Sequence, residues 1–376
     1  MNVTHESTQQ YRPTTMIISL STLAKNVSVL KHCLGRSTRM MAVVKADAYG
    51  HGMIKTANVA LENGADCLAV ALVEEAVALR AAGIHAPVLV MGAADECAFG
   101  IAVRKGISLT VFTPEAVRRM QQSAKALGKK AWVHLKVDTG MTRIGVRGDK
   151  ALDDVLQAFA DSPDVIMEGM YSHCANADDD KEYTMTQAMW FDKAIERVRV
   201  AGFSPYTHMA ASVAMLSYAP LHYDCVRPGI AIYGGEVTGL CPELCPAQTL
   251  ITKPIRLQTI AAGDFVGYGC TFCAQRETVV CTLPIGYGDG YPRALSNVGQ
   301  VLIRGRRANI IGRVCMDMCM IDVTDICGVT LEDEVVLMGA QGDERITPDE
   351  LARLTGTIAY EIMLGFLPRV PRVYAP

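Results

Sequence analysis

Lysine, arginine and tyrosine residues at the ends of short apolar runs are the strongest candidates for chemistry in this sequence. Lys45 closes such a run and is followed by the glycine-containing segment 46–52. A lysine at the end of a buried strand is partly desolvated, which lowers its pKa and favours the neutral amine needed to form an imine with a carbonyl group. A lone strand-end lysine is more often a solvated charge, so Lys45 by itself leaves both interpretations open.

Arg227, His173 and Tyr268 are open to two interpretations in the same way. Arg227 ends an apolar run just before a proline, which disfavours a surface arginine and leaves a ligand contact or a structural salt bridge. His173 also ends an apolar run, and it fits a core histidine as well as a site residue. Tyr268 lies between two glycines and is typical of a turn. A phenol with an ordinary pKa of ~10 needs positive neighbours or a hydrogen bond to act as a base.

Eight apolar runs, separated by helix-periodic segments, must position these residues. Because the spacing leaves room for a helix after each run, parallel βα units are favoured over an antiparallel sandwich. We therefore predict an α/β fold with a (β/α)8 TIM-like barrel over residues 1–240, with its chemistry at the C-terminal ends of the strands. The predicted strands are 41–45, 67–71, 88–91, 109–112, 132–137, 167–173, 206–209 and 225–230.

A different pattern begins near residue 240. Short strand-like runs at 279–283, 301–303, 310–314, 318–323 and 335–338 are separated by tight turns. The segment Thr347-Pro348-Asp349-Glu350 predicts a helix start with a capping box. Residues 241–376 are therefore predicted to form a C-terminal β-rich domain.

Composition and charge exclude several classes of protein. The 376 residues carry 36 Lys+Arg against 39 Asp+Glu, a formal net charge of −3, so we expect no nucleic-acid partner. No apolar run of about 18 residues and no apolar N-terminal segment occurs, so we expect neither a membrane span nor a signal peptide. A small-molecule enzyme is the class that remains.

The cysteines indicate the compartment. Their number is 13, which is odd, and they are scattered through apolar segments, so we expect a reducing cytoplasm. The pairs Cys270/Cys273 and Cys315/Cys319 have metal or redox spacing, but no second CxxC and no histidine pair completes a ligand set. We predict core thiols and no metal site.

Several motifs, taken in order, resemble those of the alanine racemase family, and the resemblance covers nearly the whole chain. One glycine-rich segment would match by chance, whereas an ordered series would not. The motifs are 45–52, 136–143, Tyr171-Ser172-His173, 227–230, Tyr268-Gly269, 286–291 and Cys315-Met316-Asp317.

The resemblance implies a pyridoxal 5'-phosphate enzyme that works with two bases. Racemisation removes a proton from one face of Cα and returns one to the other, so two bases on opposite sides are needed. By resemblance, Lys45 serves one face and Tyr268 the other. The residues that resemblance assigns to the cofactor phosphate are Tyr49, Ser212, Gly229 and Ile230.

Further roles follow from the same resemblance. Arg227 is expected to face the nitrogen of the cofactor ring. A guanidinium cannot accept a proton from that nitrogen, so the ring stays neutral and is a weaker electron sink. His173 is expected to lie near the ring and Arg227. Arg143 and the backbone N–H of Met316 are expected to hold the substrate carboxylate. The resemblance places Lys136 beside Arg143, as a carbamylated lysine that orients the arginine.

The family joins its two domains across a head-to-tail homodimer, so each active site is expected to use both subunits. Tyr287, in the second domain, is expected at the entry channel of the partner's site.

The function implied is interconversion of L- and D-alanine, which supplies D-alanine for peptidoglycan. A serine or broad-specificity racemase is the alternative, because Pro368 stands where the family usually has a tyrosine and Ala211 where an asparagine is frequent. A cofactor-binding protein without turnover and a decarboxylase on the same barrel are further alternatives. The cofactor-binding proteins without turnover lack a β domain, which this chain is predicted to have. The decarboxylases typically pair the ring nitrogen with an acidic residue, whereas arginine is expected here.

Overall fold

The computed structural model describes residues 11–235, 237 and 239–376, which divide into two units. A barrel unit comprises Leu23–Cys245, and a β-rich unit joins the described residues up to Thr22 to Pro246–Pro376. The N-terminal segment therefore groups with the second unit and not, as predicted, with the barrel. The reason is strand pairing: β1 (Thr15–Ser19) is antiparallel to β10 (Gln248–Thr252) and parallel to β20 (Arg372–Ala375).

The barrel unit is a closed ring of eight parallel strands, which confirms the predicted TIM-like barrel. The ring closes where its first strand, which ends at Val43, pairs with its last, which begins at Cys225, with Met40 opposite Val226. Most residues of these strands are buried, as expected for parallel strands covered by helices. They are β2 (Arg39–Val43), β3 (Cys67–Val70), β4 (Val88–Ala93), β5 (Ser108–Val111), β6 (Ala131–Lys136), β7 (Val165–Tyr171), β8 (Tyr206–Ala211) and β9 (Cys225–Arg227).

Helices with one apolar side follow the strands. In α1, Leu23, Val27 and Leu30 are buried as predicted from their spacing. The predicted cap at Thr113 is confirmed, because its hydroxyl accepts from the N–H of Ala116. The helices of this part of the chain are α1 (Leu20–His32), α2 (Lys45–Gly50), α3 (Met53–Glu62), α4 (Val73–Ala81), α5 (Phe99–Lys105), α6 (Pro114–Leu127), α7 (Asp149–Ala160), α8 (Lys181–Val200), α9 (Ser212–Ser217) and α10 (Ile230–Tyr233).

The segment α2 is a left-handed turn. Its residues from Ala46 to Tyr49 have φ between 51° and 54°, although none of the four is glycine. A left-handed conformation costs a non-glycine residue about 1–2 kcal/mol. Contacts offset this cost: the ring of Tyr49 stacks on Tyr233 with centroids 4.7 Å apart, and Tyr233 donates to the Val43 carbonyl at 2.9 Å. The turn directs the chain just after β2 back into the barrel, so that Tyr49 is buried.

The β-rich unit contains a seven-stranded sheet, a three-stranded sheet and a short hairpin. Besides β1, β10 and β20, its strands are β11 (Arg256–Ile260), β12 (Phe265–Val266), β13 (Phe272–Cys273), β14 (Thr278–Leu283), β15 (Gln300–Ile303), β16 (Arg306–Asn309), β17 (Cys319–Asp322), β18 (Val335–Gln341) and β19 (Glu344–Ile346), and the helices are α11 (Pro348–Thr355) and α12 (Ala359–Leu364). The large sheet has the order β16, β15, β18, β10, β1, β20, with β19 beside β18.

Two expectations for this unit need correction. The predicted strand 310–314 is only an isolated bridge at Ile310, and the strand lies instead at β16. Cys270 is exposed and Cys273 and Cys315 are half-buried, so only Cys319 of these pairs is a core thiol. The predicted helix start at Thr347 is confirmed, since its hydroxyl accepts from the N–H of Glu350.

Among the described residues, none of the helices combines the length and the apolar character that a membrane span requires.

Candidate active site

A cavity of about 290 Å3 in the barrel unit gathers the basic residues singled out from the sequence. Lys45, Lys136, Arg143, His173 and Arg227 all line it. They come from the C-terminal ends of β2, β6, β7 and β9 and from the loop after β6, which is the end of a barrel where active sites are built. Such a concentration of positive charge fits an anionic ligand.

Lys45 lies two residues beyond the end of β2 rather than in the strand, and it is half-buried. Burial lowers its pKa, and the nearby charge of Arg143 lowers it further, while Glu75 acts in the opposite direction. Glu75 also accepts hydrogen bonds from the N–H groups of Ala46 and Ala71. The left-handed turn that begins at this lysine is therefore fixed to the neighbouring strand end.

Lys136 is the last residue of β6, and its side chain is buried. Its amine donates to the Val137 carbonyl at 2.7 Å. Burial and then the charge of Arg227 lower its pKa to about 7, with Arg143 adding to the effect and Asp138 opposing it. A substantial share of this amine is consequently neutral, and so nucleophilic, near neutral pH.

Arg227 is fully enclosed. One terminal nitrogen, Nη2, donates to the carbonyls of Ser172 (2.7 Å) and Met209 (2.9 Å) and contacts His173 Nδ1 at 3.3 Å. The other, Nη1, donates to Nδ1 of His208 at 2.6 Å. No carboxylate is hydrogen-bonded to Arg227 in the described residues, so the simple structural salt bridge is excluded there.

His173 lies two residues beyond the end of β7. Burial lowers its pKa well below the usual value, and the charges of Arg227, Arg143, Lys136 and Lys45 act in the same direction. It is therefore a neutral imidazole at the cavity wall.

A second group of predicted residues forms a compact cradle. The hydroxyl oxygen of Ser212 accepts from the N–H groups of Gly229 (3.0 Å) and Ala231 (3.2 Å). A Cβ on Gly229 would lie 2.6 Å from the Tyr49 hydroxyl, so only glycine leaves room for that tyrosine. Ile230 begins α10 and is buried.

The residues of the cradle and cavity fit pyridoxal phosphate. Two hydroxyls and a glycine backbone lie together, and a phosphate needs several donors around little bulk. Amine and guanidinium groups line the cavity. The cavity therefore suits this cofactor in two ways. Its basic lining matches the negative charge of the cofactor, and Lys45 has the lowered pKa that formation of an imine requires.

Tyr268, Met316 and Tyr287 belong to the β-rich unit. Tyr268 is 73% exposed and contributes with Cys315 to an open groove of about 550 Å3. Tyr287 donates its N–H to the Cys315 carbonyl at 3.0 Å, and Gly288 donates to the Met316 carbonyl at 2.8 Å. The structure therefore brings these three positions to neighbouring loops of one unit.

Sequence reasoning missed the role of Tyr171 and His208. The Tyr171 ring lies 5.1 Å from the guanidinium carbon of Arg227 and 5.3 Å from the amine of Lys136, so it is in cation–π range of both. Tyr171 was visible as part of a family motif. His208 gave no signal beyond its place in an apolar run.

Residues 18–237 match the family model "Alanine racemase, N-terminal domain", and residues 247–374 match "Alanine racemase, C-terminal domain". The chain belongs to the alanine racemase family. This result confirms the resemblance drawn from the motifs.

Individual relatives agree along the whole chain. An alanine racemase from Symbiobacterium thermophilum is 42% identical over 368 residues, covering 96% of this chain and 97% of the relative. Alanine racemase 2 from Oceanobacillus iheyensis is 40% identical over 97% of this chain and 94% of its own length. The crystal structure of alanine racemase from Bacillus anthracis with bound L-Ala-P superposes with a TM-score of 0.91 at 36% identity, covering 98% of this chain and 96% of that one.

Proposed function

We propose that this protein is a pyridoxal-phosphate-dependent alanine racemase that interconverts L- and D-alanine. The observation that carries the proposal is that Lys45, with its lowered pKa, lines the same cavity as Arg143 and Arg227. The named relatives are alanine racemases, which does not favour the serine or broad-specificity alternative. A protein of this kind supplies D-alanine for peptidoglycan. The free cysteines throughout the described residues support residence in the cytoplasm.

Each cavity residue has a distinct task in this proposal. When bound, pyridoxal phosphate supplies an electron sink that stabilises negative charge at the substrate Cα. Lys45 would hold the cofactor and, as a neutral amine, accept a proton at Nζ. Arg227 would donate to the ring nitrogen and, being permanently charged, would leave that nitrogen unprotonated. Tyr49, Ser212, Gly229 and Ile230 would hold the phosphate, and His173 would lie near the ring.

Arg143 and the backbone N–H of Met316 are proposed to bind the substrate carboxylate. A guanidinium suits this role because it donates two parallel hydrogen bonds. We propose that Lys136, whose amine is partly neutral, reacts with carbon dioxide to give a carbamate. The neutral amine forms the N–C bond with carbon dioxide and releases one proton to give an anion. Counted from the ammonium form two protons leave, so a cation is replaced by an anion that attracts Arg143.

Labelled bicarbonate tests the carbamate directly. We expect a carbamate signal in the 13C NMR spectrum of the protein equilibrated with 13C-bicarbonate, and its loss in Lys136→Arg. Lys150→Arg is the matched control, because Lys150 has a 90% exposed side chain and should not form a stable carbamate. If Lys136→Arg and Lys150→Arg gave the same carbamate signal, the carbamate would be on a residue other than Lys136.

The two-base assignment is tested by exchange of the Cα proton with deuterium oxide. Lys45→Ala and Tyr268→Phe should each impair exchange mainly for one enantiomer of alanine, and the affected enantiomer should differ between the variants. Tyr11→Phe, at an 89% exposed tyrosine, controls for loss of a hydroxyl. Equal losses for both enantiomers in both variants would refute the assignment.

We propose a homodimer in which Tyr268, Met316 and Tyr287 of one subunit complete the cavity of the other. Mixing Lys45→Ala subunits with Tyr268→Phe subunits tests this proposal. If sites are shared, each mixed dimer regains one intact site, and random reassociation should restore about a quarter of native activity. If each site is built from a single subunit, mixing restores nothing.

A further inference from the structure

A line of polar side chains leads from Arg227 into the interior of the barrel. Nδ1 of His208 lies 2.6 Å from Arg227 Nη1, and Nε2 of His208 lies 2.8 Å from Nδ1 of His134. Nε2 of His134 faces two oxygens, those of the Glu168 carboxylate at 3.4 Å and of the Tyr206 hydroxyl at 3.3 Å. Both histidines are buried, and the line ends at Glu168, which is 25% exposed.

The hydrogen bonds can run in one direction only. Arginine has donors and no acceptor, so Nδ1 of His208 must accept. A neutral His208 therefore carries its proton on Nε2, and this N–H donates to Nδ1 of His134. Because Nδ1 of His134 accepts, the proton of His134 is on its own Nε2, which faces Glu168. Burial lowers the pKa of both imidazoles. The pKa of His208 falls well below its usual value, because the charge of Arg227 adds to the effect of burial. Both rings are thus neutral, and each ring sets the tautomer of the next.

The Glu168 end is built to remain an acceptor. Ser108 donates to the carboxylate at 2.7 Å. The hydrogen bond from His134 and that from Ser108 hold the pKa of Glu168 below its usual value against the opposing effect of burial. An ionised carboxylate accepts only, so it cannot reverse the direction of the line.

The packing around the two imidazoles leaves them little freedom. His208 stacks on the ring of Tyr171 with centroids 4.8 Å apart and an interplanar angle of 3°. A Cβ on Gly169 would lie 2.4 Å from Nδ1 of His134, so only glycine at this place on β7 admits that ring. The rings are thereby held in the orientation that the hydrogen bonds require.

We propose that His208, His134 and Glu168 are positioning residues that fix the guanidinium of Arg227 through a one-way hydrogen-bond relay. One N–H of Nη1 is engaged by the relay and both N–H groups of Nη2 by backbone carbonyls, so Nε–H and the second N–H of Nη1 donate to no group among the described residues. The relay rests on the proposed function, because it orients these two remaining donors for the cofactor ring.

Histidine NMR of the holoenzyme reads the relay without turnover. In 15N-histidine-labelled protein we expect His208 and His134 to be neutral and protonated on Nε2, with assignments from His134→Gln and His208→Gln. A native protein with either ring protonated on Nδ1 would overturn the proposal. This readout involves no substrate, so its failure is distinct from failure of the exchange experiment that tests racemisation.

Variants at the far end of the relay show whether it acts on Arg227. Glu168→Leu combined with Tyr206→Phe removes both acceptors and leaves the buried Nε2–H of His134 without a partner. The double variant should shift the His134 Nε2 resonance, change the absorption spectrum of the bound cofactor and lower kcat about tenfold with little change in KM. Glu168→Gln keeps an acceptor oxygen and should restore all three properties. If the double variant does not fold, Glu168→Leu alone is compared with Glu168→Gln. A native absorption spectrum and a native His134 Nε2 resonance in the leucine variants would refute the relay.

Discussion

The hydroxyl of Tyr49 occupies the space that a side chain at residue 229 would need. A Cβ on Gly229 would approach the Tyr49 oxygen to 2.6 Å and the adjacent ring carbon to 3.3 Å. Tyr49 cannot easily retreat, because its ring stacks on Tyr233 and the turn that carries it is left-handed. The glycine and the tyrosine therefore form one unit of the cradle.

Gly229→Ala should weaken cofactor binding. The added methyl displaces the Tyr49 hydroxyl, and loss of one hydrogen bond to a charged group costs about 1.5–3 kcal/mol, which corresponds to roughly a 10- to 150-fold higher dissociation constant. Fluorescence titration of the cofactor-free protein with pyridoxal phosphate measures this change. Gly239→Ala is the matched control, because nothing lies within 4 Å of a Cβ at that position. Equal affinity of the two variants would contradict the assigned role.

The barrel and the ends of its strands were predictable because short apolar runs alternate with helix-periodic segments. The site residues followed from those strand ends combined with the motifs. Pairing between distant strands was not predictable: β1 lies between β20 and the strand that begins at Gln248, and nothing in the local pattern of residues 15–19 identifies these two partners. The N-terminal segment was for this reason assigned to the wrong unit.

Features that depend on three-dimensional packing were also missed. Ala46, Asp47, Ala48 and Tyr49 contain no glycine, so their left-handed backbone has no local signal and is imposed by surrounding contacts. The contact between His134 and His208 depends on how β6 and β8 are staggered around the barrel. Neither sequence position reveals that stagger.

Replacement of Lys136 by methionine should stabilise the cofactor-free protein, in a pH-dependent way. The folded state releases the Lys136 proton near pH 7, because burial and Arg227 lower its pKa, whereas an unfolded lysine retains it to about pH 10.4. Between these values the unfolded state binds more protons, so the stability of the native chain rises with pH. The advantage of Lys136→Met is therefore greatest below pH 7 and should shrink by about 1 kcal/mol per pH unit above it.

Urea unfolding in carbon-dioxide-free buffer at about pH 6 and about pH 9 measures this effect. Lys150→Met provides the control, since that side chain is 90% exposed and should give a difference that does not vary over this range. An advantage of Lys136→Met that stays constant with pH would show that its amine has no lowered pKa.

Arg369→Ala should weaken substrate binding by loosening the loop that carries Met316. Arg369 donates to Asp317 at 2.8 Å and lies 3.4 Å from the buried carboxylate of Asp289. Exposed pairs contribute at most about 1 kcal/mol, so the KM for alanine should rise about fivefold at most, with kcat nearly unchanged. Arg276→Ala, which breaks the exposed pair with Asp325, is the control and should leave KM unchanged. A fall in kcat alone would contradict a role in positioning the loop.

Arg12→Ala should destabilise the β-rich unit far more than removal of an exposed arginine. Arg12 donates two hydrogen bonds to the fully buried carboxylate of Asp289, at 2.8 and 3.0 Å, and loss of the arginine leaves a buried charge without its main partner. Breaking such a pair costs about 3 kcal/mol. Arg304→Ala, which breaks a partly exposed pair with Asp333, should cost less than about 1 kcal/mol.

The same pair predicts a dependence on acidity. Burial would raise the pKa of Asp289, but the hydrogen bonds from Arg12 and from the N–H of Gly286 outweigh it and hold the pKa below the usual value. A carboxylate with a lowered pKa in the folded state contributes stability that is present above about pH 4 and is lost as pH falls through the folded value. The stability gap between native protein and Arg12→Ala, measured by urea unfolding, should therefore narrow in acid. A gap that widens as the pH falls would mean that the Arg12–Asp289 pair does not hold the carboxylate in its ionised form.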